Sequence, residues 1–115
     1  MLLSREAILT AADLKTVDVD VPEWGGTVRV RAMTGTQRDA FGKSLLGPDG
    51  KYAGAGYSAR LAAASIVGED GGLLFTQNDI EVLGDRSSAA LDRVVAAANK
   101  LNALESGAVE EAKGN

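Results

Sequence analysis

Asp18 and Asp20, the acid pairs Glu69-Asp70 and Glu110-Glu111, and the run Phe41-Gly42-Lys43-Ser44 are the residues of this chain whose types could do chemistry. Paired carboxylates can hold a cation or divide acid and base duties. A Gly-Lys-Ser triplet opening a helix can cradle phosphate. Spacing defeats each of them. The phosphate motif needs a glycine five residues ahead of Gly42, where the chain has Gln37, and it needs a hydrophobic strand in front. Asp18 and Asp20 alternate with Val17, Val19 and Val21, the pattern of a solvated strand face, and the glycine and glutamate of a calcium loop are missing. Neighbouring acids such as Glu69-Asp70 point to different faces and lack an apolar pocket that would raise a carboxyl pKa. The chain has no histidine and no cysteine. That removes the commonest general base, the nucleophilic triads and nearly every zinc constellation. The expectation is a protein that is not an enzyme and carries no cofactor.

What remains is recognition. Trp24, the only tryptophan, sits beside Gly25-Gly26 at a chain reversal. It caps the core there, or anchors a partner, as tryptophan does at interface hot spots; the two roles are compatible. A net charge of −4, with cations scattered rather than blocked, argues against nucleic acid as partner, because phosphate neutralisation needs a clustered basic surface. No apolar run is long enough to cross a bilayer. The start, Met1-Leu2-Leu3-Ser4-Arg5-Glu6, lacks the order of a signal peptide, and the missing cysteines suit a reducing cytoplasm.

The elements that must position these side chains are read from periodicity. Val17, Val19 and Val21 form one period-two run and Val28 and Val30 another, with Gly25-Gly26 between them. This is a β-hairpin with one valine face; its other face sets acids on one strand against arginines on the next. Both glycines are expected to supply positive φ at the reversal. Ser4 caps a short first helix. Thr34-x-x-Gln37 is a capping box opening a helix through Phe41 to Leu45 or Leu46. Gly47 to Gly56 reads as a mobile loop, and Tyr57 to Val67 as a helix. After a turn at Glu69–Gly72, Leu73-Leu74-Phe75 is expected as a short extended apolar anchor. Thr76 caps a helix from Gln77 to Leu83, and Ser87 or Ser88 caps the longest one, to about Leu104. In that last helix Leu91, Val94, Val95, Ala98 and Leu101 follow the spacing of a buried stripe. The fold class is α+β: a mainly helical single domain with an N-terminal antiparallel β-hairpin, over residues 1–104, followed by an acidic flexible tail at 105–115. Apolar residues make up 45% of the chain but aromatics only 4%, so the core is aliphatic and alanine-rich. Its alanine faces also leave room for homo-oligomers.

In order and spacing, Val21-Pro22-Glu23-Trp24-Gly25-Gly26-Thr27-Val28-Arg29-Val30-Arg31 and Thr34-Gly35-Thr36-Gln37-Arg38-Asp39-Ala40-Phe41 resemble the tail assembly chaperones of long-tailed (siphovirus-like) bacteriophages and prophages. So do Glu69-Asp70-Gly71, Leu73-Leu74-Phe75-Thr76, Asp79-Ile80-Glu81-Val82-Leu83-Gly84, Ala90-Leu91-Asp92-Arg93 and Asn99-Lys100-Leu101-Asn102. The resemblance implies a non-catalytic helper that binds the tape-measure protein and helps to recruit tail-tube subunits. Such a helper works in the host cell cytoplasm and is absent from the mature virion. It implies no catalytic residue; Trp24, Phe41 and Tyr57 are chosen as partner-binding candidates on their chemistry alone. The family's genes often end near a ribosomal slippage site, and Lys113-Gly114-Asn115 can be encoded AAG-GGA-AAC, which contains a heptamer of the backward-slippage type. The alternative, from another class, is a structural virion component such as a tail-completion or connector protein.

Overall fold

The computed structural model describes residues 1–53 and 56–104. Part of the glycine-rich loop (54–55), the tail expected over 105–115 and the slippage reading at Lys113-Gly114-Asn115 lie outside the described residues.

Strand β1 (Thr16–Val21) pairs antiparallel with β2 (Gly26–Arg31), in a register that sets Val17 against Val30, Val19 against Val28, and Asp18 against Arg29. Valine thus meets valine on one face. On the other, the Arg29 guanidinium donates from Nε and Nη2 to the two Asp18 oxygens at 2.8 and 3.2 Å. The reversal differs from the expected two-glycine turn. A 3₁₀ turn over Pro22–Trp24 makes it, with proline fixing the first φ, and only Gly25 is left-handed (φ +74°). Because the longer connection needs one such residue, Gly26 is free to open β2 opposite Val21.

The expected helix to Val67 ends two residues early. Helix α3 (Tyr57–Ser65) gives way to a strand, β3 (Ile66–Val67), which lies antiparallel to β2 with Val30 opposite Ile66. Two consecutive β-branched residues favour extended backbone, and the open edge of β2 gives them hydrogen-bonding partners. Leu73 extends the sheet by a single bridge to Val67, and the Leu74 N–H reaches the Ile66 carbonyl at 3.0 Å. Leu73 and Leu74 are nevertheless exposed, and of the expected anchor only Phe75 packs on the core. Among the described residues Arg31 meets no acid; its Nη1 donates to the Gly71 carbonyl at 2.8 Å and ties the Glu69–Gly72 turn to the sheet.

Caps set the helices. Ser4 Oγ accepts from the Ala7 N–H at the start of α1 (Arg5–Leu9), which buries no residue. The Thr34–Gln37 box, with bonds of 3.0 and 2.9 Å, opens α2 (Gly35–Ser44). A 3₁₀ turn over Gln77–Asp79 leads into α4 (Ile80–Gly84), and the Asp79 carboxylate accepts from the Thr76 N–H at 2.8 Å. Ser87, rather than Ser88, caps α5 (Ser88–Leu101). The start of the glycine-rich loop is constrained: Gly47 N–H bonds to the Lys51 carbonyl and Ala53 N–H to the Leu45 carbonyl, each at 2.8 Å, around Gly50 at φ +76°.

Layering follows from these pieces. The valine face of the sheet, α3 and α5 close on Val21, Val30, Leu61, Ala62, Ile66, Ala90, Val94 and Ala98, all within 1% of full burial. Alanines at the α3–α5 seam permit close backbone approach. Each fully buried Val, Leu or Ile contributes about 1.5–3 kcal/mol. Asn102 locks the far end: its Oδ1 accepts from the Met33 N–H at 2.8 Å while its Nδ2 donates to the Ala98 carbonyl.

Ser65 is the flaw in this core. Its side chain is fully buried and, among the described residues, its Oγ has no hydrogen-bond partner. A buried polar group left unpaired costs about 1–3 kcal/mol. Ser65→Ala is therefore expected to raise stability by about 1 kcal/mol, read as a higher urea midpoint with an unchanged denaturant slope.

Candidate protein-docking surface

Trp24 ends the 3₁₀ turn of the hairpin, and an ion pair fixes where that turn lies. Arg93 on α5 donates through Nε to both Glu23 oxygens, at 2.9 and 3.3 Å. That hydrogen bond, seconded by a backbone bond and by the charge of Arg93, holds the Glu23 carboxyl below its ordinary pKa. Thus pinned, the half-buried Trp24 ring forms one wall of a depression of about 340 Å³ whose other apolar walls are Phe75, Val82 and Leu83, with Asp79 and Arg86 at its rim.

Phe75 also belongs to a second depression, of about 410 Å³, between α2, α3 and the segment entering α4. Ala40, Phe41, Ala63, Ala64, Leu73 and Ile80 line it, and Gln37, Ser44, Arg60 and Gln77 supply polar edges. The two hollows meet at Phe75, so an apolar strip runs from Trp24 to Phe41. Val82 and Leu73, 64% and 43% exposed, continue it onto open surface.

Of the three sequence candidates, Trp24 and Phe41 lie on this strip and Tyr57 lies behind it. The Tyr57 ring meets Phe41 edge-on, with centroids 5.6 Å apart, and its hydroxyl donates to Asn99 Oδ1 at 3.3 Å. Burial raises the Tyr57 pKa. Tyr57 therefore holds Phe41 in place. Phe75, the residue joining the hollows, is absent from the sequence candidates. The signal for it was available: Phe75 precedes the Thr76 cap and Ile80 falls four positions into the helical turns, the spacing of a hydrophobic staple.

Glu110-Glu111 lie outside the described residues, and among the described ones the remaining sequence candidates form no metal-binding cluster. Gly42-Lys43-Ser44 lies in the last turn of α2, where Ser44 Oγ donates to the Phe41 carbonyl at 2.6 Å. Asp18 is occupied by Arg29, and Asp20 lies exposed opposite Thr27. Among the described residues no group of three His, Cys, Asp or Glu could hold a metal, and no helix is long and apolar enough to cross a membrane.

No family model matches this sequence, and no curated protein does. A solved structure does match, with a TM-score of 0.61 over 84% of this chain and 90% of the other, at 19% identity. It is the tail assembly chaperone of bacteriophage HK97. At that identity, the HK97 chaperone and this chain share a fold.

The depressed Glu23 pKa makes the Trp24 turn sensitive to pH. A carboxyl whose folded pKa is lowered stabilises the fold above its unfolded value, and that contribution is lost as pH falls through the folded one. NMR titration is expected to give Glu23 a pKa below that of an ordinary glutamate, with Arg93→Gln returning it to the usual range. The stability gap between parent and Arg93→Gln should shrink as the medium is acidified below about pH 4.

Proposed function

We propose that this chain is a phage tail assembly chaperone. It is a non-catalytic protein that binds the tape-measure protein, helps to recruit tail-tube subunits around it, works in the host cytoplasm and is absent from the mature virion. The observation that carries this reading is the fold held in common with the HK97 tail assembly chaperone over nine tenths of that protein. The sequence resemblance described above supports it from a second direction.

The docking surface suits the role. A long helical client exposes apolar stripes that aggregate unless covered, and a helix face seats in a groove through side chains at i, i+3, i+4 and i+7. The strip from Trp24 through Phe75 to Phe41 provides two adjoining hollows for such side chains. Its polar edges keep the empty surface hydrated. The net charge of −4 keeps loaded and unloaded copies apart in solution. Binding of this kind needs neither cofactor nor metal.

Co-expression with a helical fragment of the tape-measure protein tests the reading. The fragment is expected in the soluble fraction when the chain is present and in the pellet when it is not; a fragment that stays insoluble in both cases overturns the proposal. Trp24→Ala should weaken capture about tenfold, the effect of losing one interface aromatic worth ~1.4 kcal/mol, with far-UV circular dichroism unchanged. Val82→Asp, on the exposed part of the strip, puts a charge where the client must desolvate and should weaken capture at least as much. Unchanged capture in a folded Val82→Asp variant would remove the strip from the account.

A further inference from the structure

Strand β1 is an open edge. The sheet order is β1-β2-β3, so β1 has a neighbour on one side only. The phase of the ladder says which groups are left over. The Ala32 N–H donates to the Lys15 carbonyl at 2.9 Å. Since hydrogen-bonded and non-bonded pairs alternate along an antiparallel ladder, Val17, Val19 and Val21 direct their backbone groups at β2. Thr16, Asp18 and Asp20 direct theirs outward, and among the described residues no hydrogen bond reaches those outward N–H and C=O groups. The edge is almost flat in sequence terms: six alternating residues with no proline, glycine or lysine to blunt it.

The side chains along this edge specify a complement. Val17 is 40% exposed and Val19 half-buried on one face; Asp18 and Asp20 are exposed on the other. The chain already contains the strand that such a pattern selects. On its paired side β1 is met by β2, which sets valine against valine and closes Arg29 on Asp18. Asp20 has no such partner. Among the described residues it forms no contact ion pair; it stands opposite Thr27 and adds a distant attraction for Arg93. A second copy of β1 is the poorer occupant: in the two-fold antiparallel pairing centred on Asp18 the two Asp18 carboxylates face each other, one step of slip toward Val21 sets Asp18 against Asp20, and a step the other way leaves both acids without a cation opposite. Like charges directly opposite one another destabilise a sheet.

We propose that the β1 edge is a second docking site, which takes an extended segment of a different polypeptide in which Arg or Lys alternates with β-branched residues. The added strand bonds to the outward groups of Thr16, Asp18 and Asp20, lays its apolar side chains beside Val17 and Val19, and brings a cation to Asp20. Pairing of this kind takes its affinity from main-chain bonds and its selectivity from alternate side chains. The site uses none of the residues of the apolar strip and stands whether or not the chain is a chaperone.

The test is amide hydrogen exchange of the full chain, with and without the synthetic peptide Thr-Val-Arg-Val-Arg-Val. The amides of Thr16, Asp18 and Asp20 are expected to slow at least tenfold at saturating peptide and low salt, and less at high salt. A peptide of the same composition in the order Arg-Arg-Thr-Val-Val-Val should leave them unchanged. Asp20→Lys, which breaks no contact ion pair, should weaken binding of the first peptide about tenfold and favour Thr-Val-Glu-Val-Glu-Val instead. Equal slowing by both arginine peptides, an Asp20→Lys variant that binds like the parent, or the three amides already protected in the chain alone would overturn the proposal.

Discussion

Val30 is where this structure is held together. It lies in the central strand, opposite Val17 on one side and Ile66 on the other, and no solvent reaches it. Around it Val21, Leu61, Ile66 and Val94 are equally dry, so the hairpin, α3 with its short strand, and α5 all bury their apolar faces on one small aliphatic centre. With few aromatics, the chain cannot spread that burden over large rings. Close fit among valines, leucines and alanines must supply the stability, because in such a core each lost methyl group leaves a void that the neighbours fill only in part.

From that centre the surface strip follows. The hairpin turn is held over α5 by Glu23 and Arg93, which sets the height of Trp24. Helix α3 presents Ala63 and Ala64 toward α2 and toward the segment entering α4, and their small size leaves the hollow that Phe41 and Phe75 border. The same alanines that let helices approach closely thus leave room at the periphery. The hollow can accept an apolar side chain between Phe41 and Phe75.

Much of this was legible in the sequence. The hairpin, its valine face and its acid–arginine face came from strict alternation, whereas the register followed from the longer turn. The caps at Ser4, Thr34 and Ser87 came from local side-chain chemistry, and the buried stripe of α5 from its spacing. What escaped was set by tertiary partners. Ile66-Val67 continues the helical stripe of α3 as well as it suits a strand, and only the free edge of β2 decides between them. Leu73 and Leu74 carry the composition of a core segment, but a bridge at Val67 holds them on the surface. Gly25-Gly26 reads as a tight turn, and the 3₁₀ geometry of Pro22–Trp24 made one of the two glycines an ordinary strand residue. In the candidate site, Trp24 and Phe41 stood out as rare aromatics, whereas Phe75 was absorbed into an apolar run and Tyr57 could not be told from a surface ring. Type was readable. Depth was not.

On the function we propose, this molecule acts through its surface, covering apolar side chains of another polypeptide with the Trp24–Phe75–Phe41 strip. The most direct test is residue-resolved NMR of the chain titrated with a soluble helical tape-measure peptide. The account expects the Trp24 indole and the Phe41 and Phe75 ring signals to shift together and saturate at one concentration, with the buried methyls of Val30 and Leu61 unmoved. Saturable binding that leaves all three aromatic signals in place would contradict it.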